Sequence, residues 1–198
     1  LFDGGKFSFE ENIRLTSEAV REAKKINKDI LVEGELGFIG SSSEILKEIP
    51  KGVAIKPEDF TTPEEAEMFV RETDVDLLAP AVGNLHGMLV PSGIEGIEKG
   101  KNPRLNIKLI HEIRDAAKVP LVLHGGSGIS DEDFVSAIKA GVRIIHISTE
   151  LRAAWRKGLD EALKEKPEEI APAKILPEVV KAIEEVVINR LKLFSNIK

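Results

Sequence analysis

Three features of the sequence predict an α/β protein with a parallel sheet, an incomplete (β/α)8 TIM barrel of roughly five βα units plus a C-terminal helix. Short apolar runs alternate with amphipathic stretches along the whole chain. Polar or glycine-containing segments follow these runs, at Asp3-Gly4, Glu33 to Glu35, His86-Gly87, His124-Gly125 and Ser148-Thr149, and in a barrel such strand ends converge on one rim. Four clear strands and a stub at Leu1-Phe2, within 198 residues, fall short of a closed barrel of roughly 250 residues. Residues 1–198 are therefore expected to form a single C-terminal portion of a longer barrel.

Each element has its own local reason. Ser8 and Glu11 spell a capping box before a helix whose Leu15, Ala19, Ala23 and Ile26 share a face. Ile30-Leu31-Val32 reads as a buried strand that runs into Glu33-Gly34-Glu35-Leu36-Gly37. Residues 38–60 show no sustained periodicity and carry Ser41-Ser42-Ser43, so a long mobile active-site loop is expected there. Thr62, Pro63 and Glu65 supply an N-cap, an N1 proline and an N3 acid for the next helix. Leu77 to Val82 is a strand, followed by a second glycine-containing loop to about Lys101. A helix with Leu109, Ile113, Ala116 and Ala117 inward precedes the strand after Pro120. Ser130 and Asp133 then form a capping box for a helix ending near Gly141. Arg143 to Ile147 is the last strand. Leu151, Trp155, Leu159, Ala162 and Leu163 form one apolar stripe, with Trp155 read as packing. Pro177 opens a C-terminal helix over residues 177–198, with Val180, Ile183, Val187, Leu191 and Phe194 on one face.

Composition narrows the function. A net charge of −6 gives no footing for nucleic acid or an anionic membrane surface. The absence of cysteine excludes disulfides and thiolate metal sites, leaving His, Asp and Glu as ligands, and suits a cytoplasmic protein. No apolar run is long enough to span a bilayer.

The chemistry centres on Pro120 to Gly128, where a strand delivers His124 to a turn of Gly125, Gly126, Ser127 and Gly128. Glycines leave backbone N–H groups open to close approach by an anion. His86 ends another strand with Gly87 beside it, and the pair reads as metal-ligating, whereas His111 sits in an amphipathic helix as a surface or boundary residue. His146 is either a buried histidine bonded to a neighbouring strand end or a substrate-facing one, and the second reading is preferred. Glu33 and Glu35 are read as pointing to opposite sides of their strand, so that only one faces the interior. No lysine sits at a strand end, which disfavours a Schiff-base lyase.

Taken in order, Phe2-Asp3-Gly4, Phe9-Glu10-Glu11-Asn12, Glu33-Gly34-Glu35-Leu36-Gly37, Gly83-Asn84-Leu85-His86-Gly87, Leu123-His124-Gly125-Gly126-Ser127-Gly128 and Ser148-Thr149-Glu150 resemble the class II, zinc-dependent fructose-bisphosphate aldolases and their ketose-bisphosphate relatives. The resemblance implies a zinc ion held by His86 and His124, with Glu35 as an alternative ligand position. The family's third histidine lies in an Asp-His pair on an earlier strand, and that pair is absent from this sequence. The Asp of the pair serves in acid–base work. Phosphate would be bound by Gly87, Gly125, Gly126 and Ser127, and by His146, Ile147, Ser148 and Thr149, with a monovalent cation nearby. The zinc would polarise the ketone and stabilise an enediolate.

This sequence departs from the family at two further places. His146 stands where the family places Asn. Glu44 is the nearest substitute for a loop acid, since Ser42 and Ser43 occupy the expected place. Arg190 matches an arginine that reaches the far phosphate in a partner subunit. The implied reaction is reversible cleavage of fructose 1,6-bisphosphate to two triose phosphates by a homodimer or higher homo-oligomer. Alternatives are a tagatose- or sedoheptulose-bisphosphate aldolase, or an inactive phosphate-binding fragment.

Overall fold

A computed structural model of the chain describes residues 1–91 and 102–195. In order, its elements are β1 (Phe2–Asp3), α1 (Phe9–Ile26), β2 (Glu33–Leu36), β3 (Ile45–Leu46), a 3-10 turn (Pro57–Asp59), α2 (Pro63–Thr73), β4 (Leu77–Pro80), β5 (Met88–Leu89), α3 (Ile107–Ala117), β6 (Leu121–Leu123), α4 (Asp131–Ala140), β7 (Val142–Ile145), α5 (Thr149–Glu165) and α6 (Pro172–Ser195). Five strands form one parallel sheet in the order β1-β2-β4-β6-β7. The order follows the chain without reversal, as in an arc of a (β/α)8 barrel, whereas a doubly wound sheet would switch direction. The helices pack side by side: α1 on α2, α2 on α3, α3 on α4, and both α4 and α5 on α6.

The core lies between sheet and helices. Phe69, Leu78, Ile110, Ile113, Leu121, Leu123 and Phe134 are all buried within it. Each such side chain contributes about 1.5–3 kcal/mol relative to exposure. The Thr62 cap forms in full: Thr62 Oγ1 accepts from the Glu65 amide, and the Glu65 carboxylate accepts from the Thr62 amide. At Ser8 and Ser130 only half of the expected box forms. Both hydroxyls accept from the amide three residues on, but the acids turn elsewhere, Glu11 to Arg14 and Asp133 to Arg104 and the Leu105 amide. A charged guanidinium is a stronger partner than a cap amide.

Several expected faces and bounds shift once the neighbours are in place. The second strand is Glu33–Leu36, and Ile30 to Val32 is its approach. There Asp76 clamps Val32, the amide donating to its carboxylate at 2.8 Å and the Val32 carbonyl accepting from its amide at 2.8 Å. In α1 the buried line is Asn12, Thr16 and Val20, while Ile26 is 84% exposed. In α3 it is Ile110, Ile113 and Ala117, with Leu109 and Ala116 only partly covered. Along α5 it is Ala153, Gly158 and Ala162, and Trp155 is 45% exposed, so the expected packing role fails. Gly158 explains the rotation: a Cβ there would lie 3.0 Å from Ala182 Cβ and 3.1 Å from Val179 Cα, so α6 approaches too closely for a large residue. The last helix starts at Pro172, five residues before Pro177, which lies inside it and offers no amide for a bond to the Ala173 carbonyl. Ile175 and Val179 are buried, while Val180, Val187 and Leu191 are exposed.

Residues 38–60 hold more structure than their lack of periodicity suggests. β3 pairs in parallel with β5, and Ile39 and Ala54 pack with Ala81 in a second small core. Part of the loop expected to run to Lys101, residues 92–101, lies outside the described residues.

Candidate metal centre

β2, the loop after β4 and the end of β6 bring two carboxylates and two imidazoles to one point. Residues two apart on a strand share a face, so Glu33 and Glu35 on β2 both turn toward His124; the expectation that only one could do so is incorrect. Glu33 Oε1 lies 2.7 Å from His124 Nε2, and Glu35 Oε2 lies 3.4 Å from His124 Nδ1. The His86 Nε2 to His124 Nδ1 distance is 3.3 Å. Asn84, Asn102 and Asn12 hold this arrangement from below. Asn84 donates to the His124 carbonyl, Asn102 to the carbonyls of Gly87 and Ser127, and Asn12 to that of Glu35.

Hydrogen bonding fixes which nitrogens are bare. A carbonyl only accepts, so His86 Nδ1–H donates to the Gly40 carbonyl at 2.8 Å, and Nε2 carries the lone pair. Glu33 is held below the usual carboxylate range: burial pushes it up, but the His124 hydrogen bond and the His124 and His146 charges outweigh that. The 2.7 Å contact is a hydrogen bond from His124 Nε2–H to this carboxylate, and in the neutral ring Nδ1 is then bare. Both oxygens of Glu35, a side chain 1% exposed, are buried without a hydrogen-bond partner among the described residues. Burial pushes its carboxyl up to about 7, with Asp3 and Glu33 adding to the effect and His124 opposing it. Burial also lowers His86, which the Gly40 carbonyl partly offsets.

With both imidazoles neutral, three acceptors converge with no donor among them. Their ligand atoms lie within 4.8 Å of one another, and a cation is what such a set lacks. A second group of three, Glu33, His124 and His146, meets the same distance limit.

Beside this cluster a cleft of about 230 Å³ is lined by Leu1, Ser43, His86, Gly87, His124, Gly125, Gly126, Ser127, His146, Ser148 and Thr149. Gly125 has φ +62°, and a Cβ there would overlap the Leu85 carbonyl, so the turn requires glycine. Not every expected amide is open. Gly126 N–H donates to the His146 carbonyl at 3.1 Å, and the Ser127 hydroxyl accepts from Ser148 and Glu150 at 3.3 and 3.2 Å. The amides of Gly125, Ser127 and Thr149 have no partner among the described residues.

His146 stacks on His124, ring centroids 4.5 Å apart, and burial lowers it. Its ring makes no hydrogen bond among the described residues, so it is not tied to a neighbouring strand end. Ile147 falls outside the cleft lining but packs beneath Gly126.

Two expected residues stand apart. Glu44 is exposed and absent from the cleft lining, where Ser43 takes its place, because β3 pairing turns its backbone, not its carboxylate, toward Met88. Arg190 is held within its own chain, by Glu150 at 2.7 and 2.8 Å and Asp131 at 2.9 Å, over the Phe134 ring. The residues missed from sequence are Glu33 and Asn102. Two-residue spacing on a strand was the available signal for Glu33; Asn102 had none.

Known proteins resemble this chain along its length. The family model described as "Fructose-bisphosphate aldolase class-II" matches residues 1–198. The uncharacterized protein YdjI of Escherichia coli strain K12 is 40% identical over 195 residues, 98% of this chain and 62% of YdjI. The fructose-bisphosphate aldolase of Geobacillus stearothermophilus is 34% identical over 196 residues, 99% of this chain and 62% of that protein. The 6-phospho-5-dehydro-2-deoxy-D-gluconate aldolase of Shouchella clausii is 35% identical, covering 98% and 60%. In structure, the chain matches the crystal structure of the E. coli K12 YdjI aldolase with a TM-score of 0.69 at 36% identity, covering 98% of this chain and 58% of that one. The chain spans about three fifths of the length of these relatives. With the family model matching its whole length and solved relatives sharing its fold, the chain belongs to the class II fructose-bisphosphate aldolase family.

Proposed function

We propose that this chain supplies the metal- and phosphate-binding part of a zinc-dependent aldolase that reversibly cleaves fructose 1,6-bisphosphate to glycerone phosphate and glyceraldehyde 3-phosphate. The observation that carries the proposal is the convergence of three bare acceptors, His86 Nε2, His124 Nδ1 and Glu35, at the edge of a cleft with open amides. Two imidazoles and a carboxylate suit zinc. Bound there, the ion would act as a Lewis acid on a ketone oxygen.

The protein's own groups do the rest. His86 and His124 hold the ion, and Glu35 offers a second position for it. Amides of Gly125, Ser127 and Thr149, with the hydroxyls of Ser127, Ser148 and Thr149, bind one phosphate at the N-terminus of α5. No lysine or arginine lines the cleft among the described residues, and a monovalent cation beside the phosphate would balance that charge. His146, with a ring nitrogen to donate and one to accept, faces the substrate's oxygens. The same surface fits tagatose or sedoheptulose bisphosphate, since discrimination rests on a few hydroxyl contacts. The protein acts in the cytoplasm as a homodimer or higher oligomer.

The test is triose-phosphate release from fructose 1,6-bisphosphate, with zinc and with EDTA. It is run on this chain and on a chimera in which the preceding part of a curated relative is joined to it. Turnover in the chimera, abolished by EDTA and by His124→Ala, is the expected result. Turnover that ignores EDTA would remove the metal mechanism. Zinc binding without turnover in either protein would leave a phosphate-binding module.

A further inference from the structure

Resting on the metal reading above, we propose that Glu33 is a positioning residue. Its carboxylate fixes the His124 imidazole as the Nε2–H tautomer and so presents a bare Nδ1 to His86 and Glu35.

The geometry is specific. His124 is 4% exposed and Glu33 7%, and the 2.7 Å contact between Nε2 and Oε1 is short for a nitrogen donor, as charge-assisted hydrogen bonds are. A neutral imidazole carries its proton on one nitrogen or the other, and the acceptor on the far side decides which. At His86 that acceptor is the Gly40 carbonyl, and at His124 it is Glu33. Residues 33–40 therefore do three things from one strand and its following loop. They set both tautomers, and through Glu35 they add the third acceptor. Carboxylates that receive the outer N–H of a ligating histidine recur at metal sites, where their loss lowers affinity about 10–100-fold.

The competing arrangement makes Glu33 a ligand, together with His124 and His146. That would use His124 Nε2, which is already occupied by its hydrogen bond to Glu33. The His146 ring lies against that of His124, with centroids 4.5 Å apart and planes tilted by 37°, and makes no hydrogen bond among the described residues.

Two measurements on the full chain decide between these arrangements. The first uses metal-free protein labelled with 15N-histidine, in which long-range 1H–15N correlations report the tautomer of His124. The wild type is expected to show Nε2–H alone. Glu33→Gln keeps the shape but offers an amide that accepts or donates, and should show a mixture. The second is cobalt(II) titration by visible absorption, with unfolding curves to show that each variant is folded. Glu33→Gln should weaken cobalt binding about 10–100-fold, His86→Ala should abolish the visible band, and His146→Asn should leave the cobalt affinity unchanged.

A single Nε2–H tautomer and wild-type cobalt affinity in Glu33→Gln would overturn the proposal. So would a loss of cobalt in His146→Asn equal to that in Glu33→Gln, which would make both residues ligands. A wild-type chain that binds no cobalt would defeat the metal reading instead, and the tautomer measurement, which needs no metal, still decides the role of Glu33.

Discussion

Replacing Glu35 by glutamine tests the metal centre through stability, without substrate. In the metal-free fold this carboxyl is pushed up to about 7, against 4.5 when exposed, by burial with Asp3 and Glu33 adding to the effect and His124 opposing it, and neither oxygen has a hydrogen-bond donor among the described residues. The difference corresponds to about 3 kcal/mol. A folded-state value above the unfolded one contributes stability at low pH, and this stability is lost as pH rises through the folded value. Relative to Glu35→Gln, the metal-free wild type should therefore lose about 2 kcal/mol between roughly pH 5.5 and pH 8.5, with the rest of the change lying below that window. Urea unfolding of both proteins in EDTA, at half-unit pH steps, measures this difference directly. Saturating zinc should reverse it, since a cation bound to the three acceptors favours the ionised carboxylate, and the wild type should gain most where the metal-free form is weakest. A wild-type-minus-variant difference that stays flat across the window, or that rises with pH in EDTA, would refute the reasoning. It would mean that Glu35 is solvated or paired in solution.

Two further predictions concern the frame. Gly158→Val should destabilise the chain by about 1–3 kcal/mol, because the added carbons meet Val179 and Ala182 across the α5–α6 contact; Gly158→Ala should cost less, and thermal unfolding ranks them. Arg190→Met should cost about 2 kcal/mol, and Arg190→Lys should recover little of it, since one ammonium cannot reproduce the fork on Glu150 together with the Asp131 contact. If Arg190→Lys instead unfolds like the wild type in urea, the bidentate pair contributes nothing to stability.

Much of this protein was legible in the sequence, and the reason is that the legible parts are local. Alternating apolar and amphipathic runs fix the order of strands and helices, because the two periods differ. Thr62-Pro63-Glu65 starts a helix wherever it occurs, and Gly125 marks a backbone conformation that other residues resist. His86 and His124 were found because each follows a strand, and the ends of parallel strands meet on one rim. Glu33 was recoverable in principle; both acids were read on the strand but as opposed, whereas residues two apart on a strand share a face.

The tertiary structure decided what depends on partners distant in the chain. Which side of α5 is buried follows from how closely α6 approaches Gly158, so Trp155 faces outward although its spacing suits a core. Arg190 could have faced a substrate or a partner, and Glu150, 40 residues away, holds it instead. The sequence supplies a glycine-rich turn, but the His146 carbonyl takes the Gly126 amide and leaves those of Gly125 and Ser127 open. The proton positions on His86 and His124 are set by Gly40 and Glu33, which are 46 and 91 residues away. A residue's type and spacing determine which element it joins and what chemistry it can offer. Which of its hydrogen-bonding valences stay free is determined by the groups the fold places against it, and the function depends on those free valences.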